Sequence, residues 1–171
     1  MKAKLVVEGK EFDIEILDPK LQELIVPKKK TGYERVKSYE MFFFENEYGI
    51  AIPHYDTGEP IENAYYECAN YYSDEIVAVN NAIADNLMRK LRRFAAEHRE
   101  KTFDWNDINQ RKYFIAYDRC DVNLEVEYDI QYQELGVIYF DSEEATKLAI
   151  ETFNDELLWY FTEYKDSLLG D

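Results

Sequence analysis

The sequence predicts an α+β fold, a single domain over 1–171 with antiparallel β-meanders and two long amphipathic helices. Three observations lead there. Short runs rich in aromatic and β-branched residues are punctuated by Gly, Pro, Asn and Asp. Apolar residues recur with helical period over 74–97 and again beyond Asp141. A junction motif also recurs, as Tyr71-Tyr72-Ser73-Asp74-Glu75 and Tyr139-Phe140-Asp141-Ser142-Glu143. Each copy follows aromatic strands and opens a helix. The recurrence suggests an internal β-meander-plus-helix duplication with halves 33–98 and 111–168; chance similarity of two such junctions is the alternative.

The first segment reads as a hairpin. Gly9-Lys10 suits a two-residue turn. Pairing across it sets Val7 opposite Phe12, Leu5 opposite Ile14 and Ala3 opposite Ile16, six residues expected on a buried face. Glu8, Glu11, Asp13 and Glu15 then point the other way, with Lys4 and Val6. Asp18-Pro19 starts a short helical turn through Leu21, Leu24 and Ile25, because Pro at the first helical position loses no hydrogen bond. Pro27 ends it, and Lys28 to Gly32 form an exposed basic loop.

Strands are expected at 33–36, 41–44 and 48–52, then a loop carrying Pro53, Gly58 and Pro60, then a strand over 65–72. The helix over 74–97 shows a stripe of Ile76, Val79, Ile83, Leu87, Leu91 and Phe94, widened by Ala84, Met88 and Ala95. Asp85, Arg89 and Arg93 line the other side. A connector with one helical turn covers 103–110, and strands resume at 112–117, 124–128 and 136–140. The last helix starts near Asp141 or Ser142, where Asp141 and Glu144 have capping-box spacing. Its stripe is Ala145, Ala149, Phe153, Leu157, Phe161, Tyr164 and Leu168.

Charge restricts the partners. The chain holds 36 Asp and Glu against 20 Lys and Arg, a formal charge of −16. Such a surface repels nucleic acid and anionic membrane and attracts proteins with basic clefts. The 15 tyrosines and 10 phenylalanines exclude a disordered acidic tail. No apolar run approaches the ~18 residues a membrane span needs. The opening Met1-Lys2-Ala3-Lys4 lacks the apolar stretch of a signal peptide, so a cytoplasmic setting is expected. Cys68 and Cys120 are too few for a disulfide framework and are expected as reduced, partly buried thiols.

Catalytic signatures are sparse. Only His54, in a loop, and His98, at a helix end, are available, and no spacing offers three or four zinc ligands. No phosphate-binding glycine loop and no Gly-x-Ser-x-Gly elbow occur. Asp118 and Asp121 flank Arg119-Cys120; they suit a hard cation or a solvated turn. Arg89, Lys90, Arg92 and Arg93 cluster on the first long helix. They suit phosphate contact, or a polar face neutralised by Asp85, Glu97 and Glu100. These patterns predict no enzyme, no cofactor and no metal. Glu125, Glu127 and Asp129 alternate along one strand and so share a face, with Glu134, Asp141, Glu143 and Glu144 nearby in sequence. These seven are the candidate partner-binding residues, since arrayed carboxylates can occupy the basic channel of a nucleic-acid enzyme; the alternative is that they are merely solvated faces.

Four stretches carry a resemblance: Thr31-Gly32-Tyr33-Glu34-Arg35-Val36, Asn70-Tyr71-Tyr72-Ser73-Asp74-Glu75, Lys90-Leu91-Arg92-Arg93-Phe94-Ala95-Ala96-Glu97-His98, and Ile138-Tyr139-Phe140-Asp141-Ser142-Glu143-Glu144-Ala145. From Thr31 onward the chain resembles small acidic proteins of phages and mobile elements of Firmicutes. Some acidic phage proteins of this look are anti-CRISPR proteins acting on type II RNA-guided nucleases. The resemblance implies a phage-encoded inhibitor working in the cytoplasm of an infected or lysogenic bacterial host. Its partner would be a Cas nuclease or another basic nucleic-acid-binding protein, not free nucleic acid or membrane. It transfers no functional residue. The alternative is a phage structural or accessory protein–protein interaction module with no inhibitory role.

Overall fold

The computed structural model describes residues 2–7, 10–17, 30–165 and 167. The fold is α+β, built among the described residues from three two-stranded antiparallel hairpins and a set of helices. The elements run β1 (Lys2–Val7), β2 (Lys10–Glu15), β3 (Met41–Glu45), β4 (Ala51–Tyr55), α1 (Pro60–Glu67), α2 (Glu75–Glu97), β5 (Lys112–Asp118), β6 (Asn123–Asp129), α3 (Glu143–Thr152) and α4 (Asn154–Trp159). A π-helical turn, Tyr160–Tyr164, extends α4.

The first hairpin forms in a different register from the expected one. Leu5 faces Phe12, Ala3 faces Ile14, and pairing closes at Val7 with Lys10. The slip is two residues, an even number, so the alternation along β2 is unchanged. The face is not a buried one throughout: Phe12 is half exposed, while Ile16 is buried. The expected helical turn through Leu21, Leu24 and Ile25 and the end of the last stripe at Leu168 lie outside the described residues.

Hairpin β3–β4 leads through α1 into α2. Phe43 exchanges both backbone hydrogen bonds with Tyr72, at 2.8 and 2.9 Å. A residue's N–H and C=O point the same way in an antiparallel strand, so Phe43 directs neither toward β4. Its partner on β4 is Pro53, which has no N–H to offer. This explains why Pro53, expected in a loop, sits inside a strand: its nitrogen faces the open edge of the sheet. His54 lies in the same strand, not in a loop. The expected strand over 65–72 is replaced by α1 and a single bridge at Tyr72. Glu59-Pro60-x-Glu62 explains α1, with Pro60 in the first turn and the Glu62 carboxylate accepting from Glu59 N at 2.7 Å.

A buried polar network closes this junction. Asp56, 3 % exposed, accepts from Arg35 Nε at 3.0 Å, Tyr71 Oη at 2.8 Å and Gly58 N at 3.0 Å. The Arg35 guanidinium holds the Asp56 carboxyl below its usual range, against the cost of burial. Tyr71 stacks on Phe42 at 4.0 Å between centroids, and burial pushes its hydroxyl up to about 12. Glu62 is buried as well, accepting from Thr57 N and Oγ1. Residues 33–36 form no strand. Instead the Glu34 carboxylate gathers Thr31 N, Thr31 Oγ1, Gly32 N and Ser73 Oγ. The backbone N–H groups lead these donors, and together they hold the Glu34 carboxyl at about 2.

Helix α2 begins where expected, because Asp74 accepts from Ile76 N and Val77 N as its N-cap. Its buried face differs in the first half. Ala78 and Ala82 are buried there, while Ile76, Val79 and Ile83 are exposed. The small alanines let the helix lie close to β3–β4, where Asn86 Nδ2 donates to Gly49 O at 2.8 Å. Gly49 has φ +75°, and a Cβ there would run into the Asn86 amide. A side chain there would strain the backbone and displace that amide.

The second half of α2 floors the main core. Leu87, Leu91, Phe94 and Ala95 pack with Phe140, Ala145, Ala149 and Leu157, and Tyr113, Ile115 and Leu124 of β5–β6 lie against them. Tyr113 exchanges both backbone hydrogen bonds with Phe140, at 2.9 and 2.7 Å. The expected strand over 136–140 reduces to this bridge. The connector 103–110 contains Asx turns at Asp104 and Asp107 and no helical turn. The second long helix is broken at Phe153, φ −117°. The Thr152 and Thr162 hydroxyls bond back to Leu148 O and Leu158 O, a pattern that bends helices. Both cysteines are free and exposed, not partly buried.

Candidate functional site

Hairpin β5–β6 has one face committed to the core, so period-two alternation fixes what the other presents. Tyr113, Ile115 and Leu124 turn inward. Lys112, Phe114, Ala116 and Asp118 therefore share the opposite face with Asp129, Glu127, Glu125 and Asn123, their cross-strand partners. Glu127 is exposed; Glu125 and Asp129 are half-buried.

The hairpin tip adds charge. Carboxylate oxygens of Asp118, Asp121 and Glu125 lie within 4.8 Å of one another. Asp118 Oδ1 also accepts from Cys120 N at 2.7 Å, an Asx turn that fixes its direction. Two like charges at ~4 Å repel by about 1 kcal/mol in water and by more near a protein surface. Such a tip is relieved by any cation that approaches it, and a hard metal ion or a guanidinium answers equally well.

Lys112 balances this face from beneath. It is fully buried, and its ammonium donates to Ile130 O at 2.9 Å and Asp107 O at 3.2 Å. These partners are carbonyls; the opposing Asp129 is half-buried beside the Tyr139 hydroxyl. At the far end, Tyr139 Oη accepts from Glu134 N at 3.0 Å. Burial raises the Tyr139 hydroxyl above its usual value, and the carboxylates of Asp129 and Glu134 add to this.

The structure thus brings Glu125, Glu127 and Asp129 onto one face and sets Glu134 beside its end. The other three expected residues are engaged differently. Asp141 is not the helix cap; its Oδ2 accepts from Glu100 N and Lys101 N, each at 2.6 Å, and ties the connector to the junction. The cap is Ser142, whose Oγ accepts from Ala145 N. Glu143 pairs with Lys147 at 2.6 Å, which lowers its carboxyl below the usual range. Glu144 is exposed on α3. The acidic row on β2 is compensated: Lys4 pairs with Glu11 at 2.7 Å, and Lys2 stands opposite Glu15.

Sequence reasoning treated Asp118 and Asp121 apart from Glu125. Their union follows from the pairing of Asp118 with Asn123, which the short turn between them already implied. Among the described residues, no helix is long and apolar enough to cross a membrane. No family model, no curated protein and no solved structure matches the chain.

Proposed function

We propose that this is a non-enzymatic, phage-encoded inhibitor that binds a basic nucleic-acid-processing protein of its host through the outer face of β5–β6. The most specific target is a type II RNA-guided DNA nuclease, which would make the protein an anti-CRISPR. The observation that carries the reading is a row of carboxylates on one face: Glu125, Glu127 and Asp129, continued by Asp118 and Asp121 at the tip, on a hairpin whose other face packs into the core.

Alternate residues of a strand lie ~6.8 Å apart. Each DNA strand presents one phosphate per ~3.4 Å of axis. The face therefore offers about half the charge density of a single strand, held rigidly. That suits competition for a short stretch of a cationic channel, or for the arginines that read the duplex beside the guide–target hybrid.

The test is a cleavage assay with purified nuclease. Inhibition is expected at near-stoichiometric ratio and is expected to weaken as salt rises past the range where surface charges are screened. Reversing three charges, E125K/E127K/D129K, should weaken binding at least about tenfold while leaving the melting temperature nearly unchanged. Unchanged inhibition by this variant would remove the face from the mechanism.

A second reading is a phage structural or accessory interaction module. It is favoured by exposed apolar side chains, notably Ile76, Val79 and Ile83 along α2 and Leu135 in the loop after β6. Stable self-association with no effect on any nuclease would select it.

A further inference from the structure

In a protein this acidic, one groove is lined by arginine and aromatic rings and by no carboxylate. It runs between the second half of α2, the connector after it, and the segment leading to Phe140, and has a volume of about 350 Å³. Its lining includes Arg92, Arg99, Phe103, Trp105, Gln133 and Tyr139.

The arginines differ from their neighbours in what they touch. On α2, Arg89 pairs with Glu45, Lys90 with Glu156 and Arg93 with Glu97. Arg92 makes no hydrogen bond or ion pair among the described residues, and is exposed. Arg99 lies over the Phe103 ring, 4.8 Å from guanidinium carbon to centroid. Three cations of the α2 cluster are therefore neutralised, and the fourth, Arg92, is left exposed.

The aromatic wall is held in place before any ligand arrives. Trp105 meets Tyr139 edge-to-face at 5.0 Å and lies 5.2 Å from the buried Lys112 ammonium. Phe103 stands 6.3 Å from Trp105, tilted by 54°. Fixed rings beside unpaired guanidinium groups form a stacking platform with an anion clamp.

We propose that this groove binds a single nucleotide, its base stacked on the Phe103–Trp105 wall and its phosphate held by Arg92 and Arg99. Arginine forks match phosphate oxygens two at a time. The exposed Gln133 amide can read a base edge, since it both donates and accepts. The volume lies at the lower end of the range for small-ligand sites, about 300–1,000 Å³. One nucleotide brings about two negative charges. A long strand brings many more against a net charge of −16, and the field of the whole protein opposes it. The groove shares Tyr139 with the end of the acidic face, but its arginines lie outside the carboxylate row, and its test involves no nuclease.

The chain has two tryptophans, Trp105 and Trp159. W159F leaves Trp105 as the sole tryptophan, read by excitation beyond the tyrosine band, and calorimetry on the unaltered chain reads the same isotherm should that variant fold poorly. Adenosine and guanosine monophosphates in low salt are expected to quench Trp105 with saturation. Adenosine alone and inorganic phosphate alone should each bind at least about tenfold more weakly, since each loses one half of the recognition. R92A and R99A should each weaken the nucleotide severalfold with little change in melting temperature. No binding at millimolar nucleotide would overturn the proposal. So would equal affinity for bare phosphate, tighter binding of phosphotyrosine, tighter binding of a thymidine decanucleotide, or full affinity in the R92A/R99A double variant.

Discussion

The two hairpin-to-helix junctions share a plan and differ in what they bury. In each, a hairpin strand exchanges a pair of backbone hydrogen bonds with the residue two positions before a helix N-cap: Phe43 with Tyr72 before Asp74, Tyr113 with Phe140 before Ser142. In each, a buried tyrosine precedes that residue, Tyr71 or Tyr139, with its hydroxyl bonded. In each, the next residue ties back to the segment ahead of the hairpin: Ser73 to Gly32 and Glu34, Asp141 to Glu100 and Lys101. The buried charge is reversed. The first junction encloses the Asp56 carboxylate with an arginine; the second encloses the Lys112 ammonium with carbonyl oxygens. One backbone plan thus accommodates either sign, provided that each buried ion is hydrogen-bonded. The geometry is consistent with a duplication, which remains our proposal for its origin.

This contrast can be broken by mutation. The largest effect is expected for Asp56→Ala. It strands Arg35 and Tyr71 without their acceptor and should cost about 3 kcal/mol in denaturant unfolding. A loss below about 1 kcal/mol would show the network to be incidental. Acid provides the same test without mutation. The Glu34, Asp56 and Glu62 carboxyls are all lowered in the folded state. A lowered folded value means that the unfolded chain takes up protons first. The contribution is therefore complete above the ordinary carboxylate range near 4.5 and is lost as pH falls toward about 2. Amide exchange should report Phe43 and Tyr72 opening before Tyr113 and Phe140; simultaneous opening would contradict separate acid sensitivity.

Lys112→Met should act more weakly. It leaves two carbonyls short of a donor but also removes a desolvated charge, for a net loss of about 1–2 kcal/mol. A gain in stability would mean that the burial cost exceeds the bonds. The smallest difference is expected at the caps. Asp74→Ala removes bonds to two N–H groups and Ser142→Ala removes one, each at about 1 kcal/mol, with Asp74 the larger. Thermal melts of the two variants side by side decide the order.

Strong local signals made much of the fold legible. Asp74 and the leucine–phenylalanine stripe fixed the bounds of α2, and alternation fixed β5–β6 and the common face of Glu125, Glu127 and Asp129. Non-local features were hidden. Ile76, Val79 and Ile83 form the more hydrophobic stripe, yet Ala78 and Ala82 are buried, because close approach to β3–β4 favours small side chains over large ones. Pro53 reads as a breaker until Tyr72 is known to occupy the other edge of β3. Asp141 reads as a cap, and its true partners lie some forty residues back in the chain. The arginine–aromatic groove combines residues from three segments, and no spacing in the sequence announces it.

Helix α2 has a consequence for how the molecule comes apart. Its first half rests on β3–β4 through Ala78, Ala82 and Asn86, while Leu87, Leu91 and Phe94 belong to the core beneath β5–β6. Neither hairpin can detach without uncovering apolar rings and aliphatic groups that the other also needs, so a single rod of backbone couples the fates of both. Global melting is then one concerted step, distinct from the local opening that acid produces at the first junction, and a cut through residues 98–110 leaves two pieces of which neither owns a complete interior.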